Sequence, residues 1–471
     1  MYPKREEKPL SESDRRRSLP AVDRLLEHPA VVAAARGWSR RAVLAIVRAE
    51  LERARGALAK GAEAPAADDL AAAVAAGLAA LERPRPRRVV NAAGVVVHTN
   101  LGRSPLGDEA LLAVAAAARG YSDLEFDLDR GTRGSRHAHV DDLLRLVFPR
   151  RAALVVNNNA AALLLALNTL APGREVVVSR GELVEIGGSF RVPEILERSG
   201  ARLCEVGTTN RTHFADYERA IVSATAMILK VWPSNYRVVG FTAEVGVAEL
   251  SALARRAGRP LVVDQGCGRL FKDGPGPRDE TSVEEILEQG ADLVCFSGDK
   301  LLGGPQCGVL VGAPDVVAAC AKNPLARALR PGKLTIAALA ATLRAWLRDD
   351  PAASLPSVFM LDRAEEDLRR EAESLAARLA RVAPGAFVEL RRGVSRVGGG
   401  SAPETELPTW LVAFFAPGVA EEDLLARLRR GDPPVVARAR DGVVLFDPRT
   451  LLSDEADELA DAVARALAPR A

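Results

Sequence analysis

Short apolar segments alternate with helical segments across residues 89–350, and this alternation constrains the fold more than any other feature. Helical stretches include 160–170, 192–199 and 283–290. The apolar, β-branched segments are 153–156, 175–178, 226–231, 261–264, 293–297 and 309–311. Apolar strands that alternate with helices are typical of a largely parallel sheet with helices on both faces. The sequence therefore predicts an α/β fold.

Two segments of different character flank this region. Residues 1–88 contain three helical patterns, one of them starting after the potential N-cap Ser39, and they end in an Arg-Pro linker. Residues 351–471 combine a long charged helix with four strand-like segments. We predict a basic helical domain over 1–88, a large α/β domain over 89–350 and a small α+β domain over 351–471.

The charged residues are unevenly distributed. Residues 1–88 carry 18 Lys/Arg against 12 Asp/Glu, whereas the rest of the chain carries 46 against 50. A basic segment attached to a slightly acidic body favours an anionic partner such as nucleic acid. Arginine-rich helices that are merely solvated would show the same balance, so charge alone leaves both interpretations open.

Metal, secretion and membrane signals are weak in this sequence. The five cysteines lack paired spacing and a nearby histidine cluster, so we expect no zinc or other metal site. The N-terminus has no apolar leader, and no run of 18 apolar residues occurs. We therefore expect a cytoplasmic protein without a membrane segment.

Polar residues follow two of the predicted strands at positions where parallel sheets bind ligands. Residues 157–162 (NNNAAA) open a helix, and the free N–H groups there favour a phosphate. An Asn cap without a ligand is the alternative. Asp264 ends a fully apolar strand, where a buried carboxylate requires a cation such as a protonated pyridine nitrogen. A helix cap or a structural ion pair would explain Asp264 equally well.

Lys300 is one of only eight lysines, and it follows the strand 293–297 and precedes a glycine-rich turn. Burial there would depress the pKa of its amine, which suits a nucleophile toward an aldehyde. Ser297, three residues earlier, can donate a hydrogen bond to a phosphate. The rival is Lys230, which also ends an apolar strand but lacks the neighbouring serine and glycines.

The order of these clusters is more specific than any one of them. The Asn cluster comes first, then Asp264, and Lys300 lies 36 residues after Asp264. This order resembles that of fold-type I pyridoxal phosphate enzymes, which implies a mostly parallel seven-stranded-type sheet and a dimer with shared active sites. In such enzymes the lysine holds pyridoxal 5′-phosphate as a Schiff base. The candidate catalytic residues are then Lys300, Asp264 and Asp299, and the candidate cofactor-binding residues are Lys300, Asp264, Asn158, Asn159, Ala160 and Ser297.

Longer strings resemble a narrower family, the bacterial selenocysteine synthases, which are L-seryl-tRNA(Sec) selenium transferases. The matching strings cover nearly the whole chain. They are 89–103 (VVNAAGVVVHTNLGR), 121–128 (YSDLEFDL), 131–136 (GTRGSR), 179–191 (SRGELVEIGGSFR), 205–213 (EVGTTNRTH), 433–438 (PPVVAR) and 447–450 (DPRT).

This resemblance implies a reaction and its partners. Serine carried on tRNA(Sec) would lose its β-hydroxyl, and selenium from selenophosphate would add in its place. The family's anion-binding arginines map onto Arg103, Arg327 and Arg330, and the last two would share a helix face if their segment is helical. The resemblance also implies tRNA rather than DNA as the nucleic acid, and a homo-oligomeric ring of dimers, a decamer.

One departure from the family and two alternative functions follow from the same sequence. Where the family usually has His-Thr, this chain has Trp232-Pro233, which removes a possible proton carrier. One alternative is a pyridoxal phosphate lyase that acts on a free amino acid or an amino sugar phosphate. The other is a catalytically inactive scaffold that binds tRNA.

Overall fold

The structure is a computed structural model that describes residues 19–186, 190–233, 236, 238–402 and 405–468. Predictions for residues 1–18 lie outside the described residues, as does the part of the 179–191 motif that falls on 187–189. The described chain divides into two compact units on either side of the Arg88–Val89 bond.

The first unit is helical. Ser39 caps its longest helix, because the Ser39 side chain accepts a hydrogen bond from the Ala42 N–H at 3.3 Å. Pro29 begins a helix, since proline suits the first helical position. Apolar side chains such as Leu51 and Leu78 form a shared core between the helices. The helices are α1 Val22–Leu26, α2 Pro29–Ala34, α3 Arg40–Ala59 and α4 Ala67–Glu82.

The second unit contains the remaining helices and all of the described strands. The helices are α5 Asp108–Arg119, α6 Ala138–Val147, α7 Asn159–Leu170, α8 Val192–Arg198, α9 Phe214–Ala220, α10 Val247–Ala257, α11 Val283–Glu288, α12 Pro314–Lys322, α13 Pro324–Ala328, α14 Lys333–Trp346, α15 Pro356–Asp362, α16 Glu365–Val382, α17 Glu421–Arg430 and α18 Glu455–Leu467. The strands are β1 Val90–Asn91, β2 Phe126–Asp127, β3 Thr132–Arg133, β4 Ala152–Val156, β5 Glu175–Ser179, β6 Glu185–Ile186, β7 Phe190–Arg191, β8 Arg202–Val206, β9 Thr225–Val231, β10 Leu261–Gly266, β11 Leu293–Ser297, β12 Gly308–Gly312, β13 Phe387–Arg396, β14 Glu406–Phe415, β15 Val435–Val436, β16 Arg438–Arg440 and β17 Val443–Phe446.

A seven-stranded sheet forms the centre of this unit, in the order β4-β12-β11-β10-β9-β5-β8. Neighbouring strands run parallel except at β12, which is antiparallel to both β11 and β4. The predicted α/β fold with a mostly parallel sheet is confirmed. The edge strand β8 was not predicted as a strand, because its half-exposed sequence RLCEV lacks a continuous apolar run.

Alternate residues of the central strands enter two separate apolar cores. Val263 and Val294 belong to one core, whereas Val262 and Leu293 belong to the other. Successive side chains of a strand point to opposite faces, so a sheet covered by helices on both sides requires apolar residues at every position. This explains why β9, β10 and β11 are mainly apolar runs, with polar residues only at or next to their ends.

A second sheet lies in the C-terminal part of the chain. It has four antiparallel strands in the order β13-β14-β17-β16, and α16 packs against β13 and β14. The short strand β1 pairs in parallel with β15, which ties the start of this unit to its C-terminal part. Residues 89–471 form one compact unit, and the predicted domain boundary at residue 350 stays a prediction.

Two further observations concern the described residues as a whole. No helix among them combines the length and apolar composition needed to cross a membrane. They also contain no group of three His, Cys, Asp or Glu side chains placed to bind a metal ion. The five cysteines are free thiols, and all except Cys204 are buried.

Candidate active site

Asp264 lies on β10 in the middle of the sheet, and its side chain is almost entirely buried. Its Oδ1 atom accepts a hydrogen bond from Asn159 Nδ2 at 2.8 Å. Burial raises the pKa of this carboxyl to about 6, although Asn159 and the positive charge of Lys300 act in the opposite direction. A carboxylate in this position gains stability from a cation that faces it.

Lys300 follows β11 and is 5% exposed. Its Nζ atom donates a hydrogen bond to the carbonyl oxygen of Gly400 at 2.8 Å. Burial lowers the pKa of the amine, and the nearby Arg103 lowers it further. A larger fraction of Lys300 is therefore neutral and nucleophilic than for a solvated lysine.

Gly266 lies between these two groups. A Cβ atom built on Gly266 would lie 3.9 Å from Asp264 Oδ1 and 4.0 Å from Lys300 Nζ. The carboxylate and the amine therefore border the same small space. Gly266 has φ 75°, a left-handed conformation that favours glycine and leaves this space free of a side chain.

The N-terminus of α7 opens beside the sheet, as predicted. The Asn158 side chain caps this helix by accepting a hydrogen bond from the Ala161 N–H at 2.8 Å. Gly308 pairs with Ser297 across the sheet, and a Cβ atom on Gly308 would lie 2.1 Å from the carbonyl oxygen of Asn158. Gly308 therefore lies beside both Ser297 and the start of α7. The N–H groups of a first helical turn have no intrahelical partners and favour an anion.

Arg103 contacts the lysine segment from a distant part of the chain. Its Nη1 atom donates to Asp299 Oδ2 at 2.6 Å, and the next residue, Ser104, donates its hydroxyl to the carbonyl oxygen of Lys300 at 2.6 Å. Arg103 has φ 63°, a strained conformation for a residue other than glycine, and its Nε atom has no hydrogen-bond partner within the described residues. Strain of this kind concentrates at functional sites. The Asp299 carboxylate faces Arg103, which supports a positioning role for Asp299.

The amine of the rival lysine, Lys230, is paired with carboxylates. Its Nζ atom lies 2.9 Å from Glu182 Oε1 and 3.7 Å from Glu244 Oε2. Burial alone would lower the pKa of Lys230, but these two carboxylates raise it. Lys230 is thus held protonated in a buried ion pair, which disfavours attack on an aldehyde. The structure favours Lys300 over Lys230.

The other two predicted arginines have different surroundings. Arg327 is exposed on α13, whereas Arg330 lies beyond the end of this helix at Ala328. The expectation that they share a helix face is therefore wrong, because only Arg327 is helical. Arg330 Nη1 lies 3.0 Å from Glu125 Oε1, a carboxylate that also accepts from Arg136.

A cavity of about 360 Å³ opens at the ends of β5, β8 and β9. Its lining includes Glu182, Thr209, Trp232 and Glu280. Trp232 follows β9, and its backbone N–H donates to the carbonyl oxygen of Asp264 at 2.9 Å. Its ring centroid lies 5.5 Å from Lys230 Nζ, a cation–π distance. The cavity therefore borders the strand that carries Asp264.

The donor set fits pyridoxal 5′-phosphate. A buried carboxylate suits a protonated pyridine nitrogen, and a buried amine of depressed pKa suits the aldehyde. The first turn of α7 suits the phosphate, although the Asn158 side chain already accepts from the Ala161 N–H. The buried Oδ1 atom of Asn159, which has no partner within the described residues, leaves an acceptor at this site. The space at Gly266 separates the carboxylate from the amine.

Sequence reasoning missed three groups of this site: Ser104, Glu280 and the carbonyl oxygen of Gly400. Each contacts the Lys300 segment or its neighbours from far along the chain, so no local spacing indicates them. The glycine run 398–400 was a signal of unusual backbone conformation, but it does not show which residue that backbone meets.

Comparisons with known proteins show which family the chain resembles over most of its length. The profile of the L-seryl-tRNA selenium transferase family matches residues 89–452, and a selenocysteine synthase N-terminal profile matches residues 16–55. The L-seryl-tRNA(Sec) selenium transferase of Moorella thermoacetica is 49% identical over 455 residues, which cover 96% of this chain and 97% of that protein. The protein of the same name from Solidesulfovibrio magneticus is 52% identical over 397 residues, which cover 83% of this chain and 84% of that protein.

One solved structure also superposes well. That of D-glucosaminate-6-phosphate ammonia-lyase gives a TM-score of 0.56 at 21% identity and covers 81% of this chain and 95% of the other. At this level of identity the likeness shows the fold alone.

Proposed function

The chain belongs to the L-seryl-tRNA selenium transferase family, and we propose that it converts L-seryl-tRNA(Sec) to L-selenocysteinyl-tRNA(Sec) with pyridoxal 5′-phosphate and selenophosphate. The observation that carries this proposal is the pair of buried groups, Asp264 and Lys300, that both border the space at Gly266. In a family member, a carboxylate and an amine in this arrangement are the groups that hold the cofactor.

Each side chain then has a defined task. Lys300 would hold the cofactor and, once free of it, would take the α-proton of the seryl ester. Asp264, ionised, keeps a proton on the ring nitrogen, and Asn159 orients the carboxylate. Bound pyridoxal phosphate supplies an electron sink, which allows the β-hydroxyl to leave and selenium to add. Asn158, Asn159, Ala160 and Ser297 would hold the phosphate.

Arg103 has a free donor for the oxyanion of selenophosphate. Asp299 holds one end of its guanidinium, while the buried Nε atom has no partner among the described residues. Arg327 and Arg330 complete the anion site in this proposal. A planar guanidinium binds oxyanions in a fixed geometry, which makes arginine better suited than lysine to this task.

The partners follow from the same substrate. The basic residues 1–88 bind the tRNA, and the enzyme acts as a homo-oligomer of dimers, a decamer, in the cytoplasm. Trp232 stands where the family's histidine would lie, so proton handling in this chain falls to Lys300 alone.

Deletion of residues 1–85 tests the tRNA assignment. We expect the affinity for seryl-tRNA(Sec) to fall by roughly 10³-fold or more, because the phosphate contacts of a basic domain supply most of such affinity. Residues 89–471 form a compact unit by themselves, so cofactor binding should be unchanged. Affinity is measured by filter binding at fixed salt, and the visible absorbance of bound cofactor is the control.

Unchanged tRNA affinity in this deletion variant would contradict the proposal. It would favour the alternative of a lyase that acts on a free amino acid or an amino sugar phosphate. A full-length protein that binds tRNA through residues 1–85 but binds no cofactor would instead favour the inactive scaffold.

A further inference from the structure

We propose that Glu280 is a positioning residue for Lys300, because it holds the backbone segment whose Gly400 carbonyl binds the Lys300 amine. This inference rests on the proposed function, in which Lys300 carries the cofactor. It concerns a carboxylate that neither the motifs nor the cofactor-binding groups include.

The first link is between Lys300 and Gly400. The Gly400 carbonyl oxygen accepts a hydrogen bond from Lys300 Nζ at 2.8 Å, and it also accepts one from the Ser401 hydroxyl at 2.8 Å. A carbonyl accepts an N–H group of the amine but offers no proton. The Nζ lone pair therefore stays available, which suits a released lysine that must take the α-proton of the substrate.

The second link is the unusual backbone that presents this carbonyl. Gly398, Gly400 and Ala402 have φ of 132°, 83° and 41°. Glycine adopts such angles readily, but alanine does so at a cost that other contacts must offset. A Cβ atom on Gly398 would lie 2.6 Å from the Val97 carbonyl oxygen, so the segment is also pressed closely against its neighbour.

The third link is from this segment to Glu280. Glu280 Oε1 accepts a hydrogen bond from the Ala402 N–H at 2.7 Å, and the Glu280 side chain is buried. The donor in this contact is Ala402, the alanine with the strained backbone conformation. Since Gly400 and Ala402 are two residues apart, the distance between their Cα atoms is at most about 7 Å. The contact therefore fixes the position of the Gly400 carbonyl.

The fourth link connects Glu280 to the turn that follows Lys300. Glu280 Oε2 lies 3.8 Å from Cys267 Sγ, and the carbonyl oxygen of Cys267 accepts the Leu301 N–H at 2.9 Å. Glu280 therefore contacts the segment that contains Gly400, and through Cys267 it is linked to the turn that follows Lys300. Burial raises the pKa of Glu280, and in either protonation state one oxygen remains an acceptor for Ala402.

Thr405 provides a matched control. Its hydroxyl donates to the Asp279 carboxylate at 2.6 Å, so it joins the same two parts of the chain through an exposed contact that does not involve Glu280. A merely structural role for these contacts predicts similar effects of Glu280→Ala and Thr405→Val on folding and on cofactor. A positioning role predicts that only the Glu280 variant changes the reactivity of Lys300.

The experiment measures how fast added pyridoxal phosphate attaches to Lys300 in the full-length apoprotein, by borohydride trapping and peptide mass. We expect Glu280→Ala to slow attachment by about tenfold. This factor corresponds to the free energy that one hydrogen bond contributes. Glu280→Gln keeps an oxygen acceptor for the Ala402 N–H. Its attachment rate should therefore lie within about twofold of the wild-type rate, because no hydrogen bond is lost. Thr405→Val should also match wild type.

Three results would overturn the inference. They are normal trapping in folded Glu280→Ala, a defect in Glu280→Gln as large as in Glu280→Ala, and an equal defect in Thr405→Val. Should Glu280→Ala fail to fold, Glu280→Asp decides: it keeps the charge but withdraws the acceptor by one methylene, and wild-type trapping in it would overturn the inference. Wild-type protein that traps no cofactor at Lys300 would instead contradict the proposed function.

Discussion

Replacement of Lys300 by alanine is expected to abolish formation of selenocysteinyl-tRNA and to leave no borohydride-reducible cofactor adduct on the protein. Lys300 both attaches the cofactor and carries the α-proton in our proposal. Loss of the general base alone costs roughly 10²- to 10⁴-fold in rate. Lys322→Ala, which removes an exposed lysine on α12, is the control and should retain activity. Adduct formation is measured by mass analysis of lysine peptides.

A reducible lysine adduct in the Lys300→Ala variant would contradict this assignment and make Lys230 the candidate. The structure argues against that result. Lys230 lies in a buried ion pair with Glu182, and breaking such a pair costs about 3–5 kcal/mol. Lys230→Met should therefore lower the free energy of unfolding while Lys300 still forms the adduct.

Asp264→Asn is expected to produce the second large effect. The amide is nearly isosteric with the carboxylate but cannot hold a cationic ring nitrogen. Loss of one buried charge partner costs about 3–5 kcal/mol, or roughly 10²- to 4 × 10³-fold in rate. We expect cofactor to remain attached to Lys300 while product formation falls by this factor, as measured by single-turnover kinetics.

Asn159→Ala is the matched variant for Asp264→Asn. It removes the hydrogen bond to Asp264 Oδ1 but leaves the carboxylate charge, so its effect should be much smaller. Equal effects of the two variants would show that orientation, not charge, is what Asp264 supplies. A wild-type rate in Asp264→Asn would remove Asp264 from the catalytic group.

The fold was largely predictable because buried strands on a two-sided sheet must be apolar at every position. β9, β10 and β11 satisfy this rule, so their sequences were sufficient. β8 is half-exposed and has no such run, so it was missed. The antiparallel direction of β12 depends on how the chain returns after Lys300, which composition does not record.

The site was only partly predictable. Asp264 and Lys300 follow from their positions at strand ends, because a polar group there must have a partner. The choice between Lys300 and Lys230 needs Glu182, which lies 48 residues before Lys230 in the chain. The Gly400 contact comes from 100 residues beyond Lys300. The helix face proposed for Arg327 and Arg330 failed because α13 ends at Ala328.

The most direct test of the proposed function is to incubate the purified protein with seryl-tRNA(Sec), selenophosphate and pyridoxal phosphate, and then to identify the amino acid released from the tRNA. We predict selenocysteine, and its formation should require all three components. Serine that remains unchanged on the tRNA, in a protein that carries the cofactor on Lys300, would contradict the proposal.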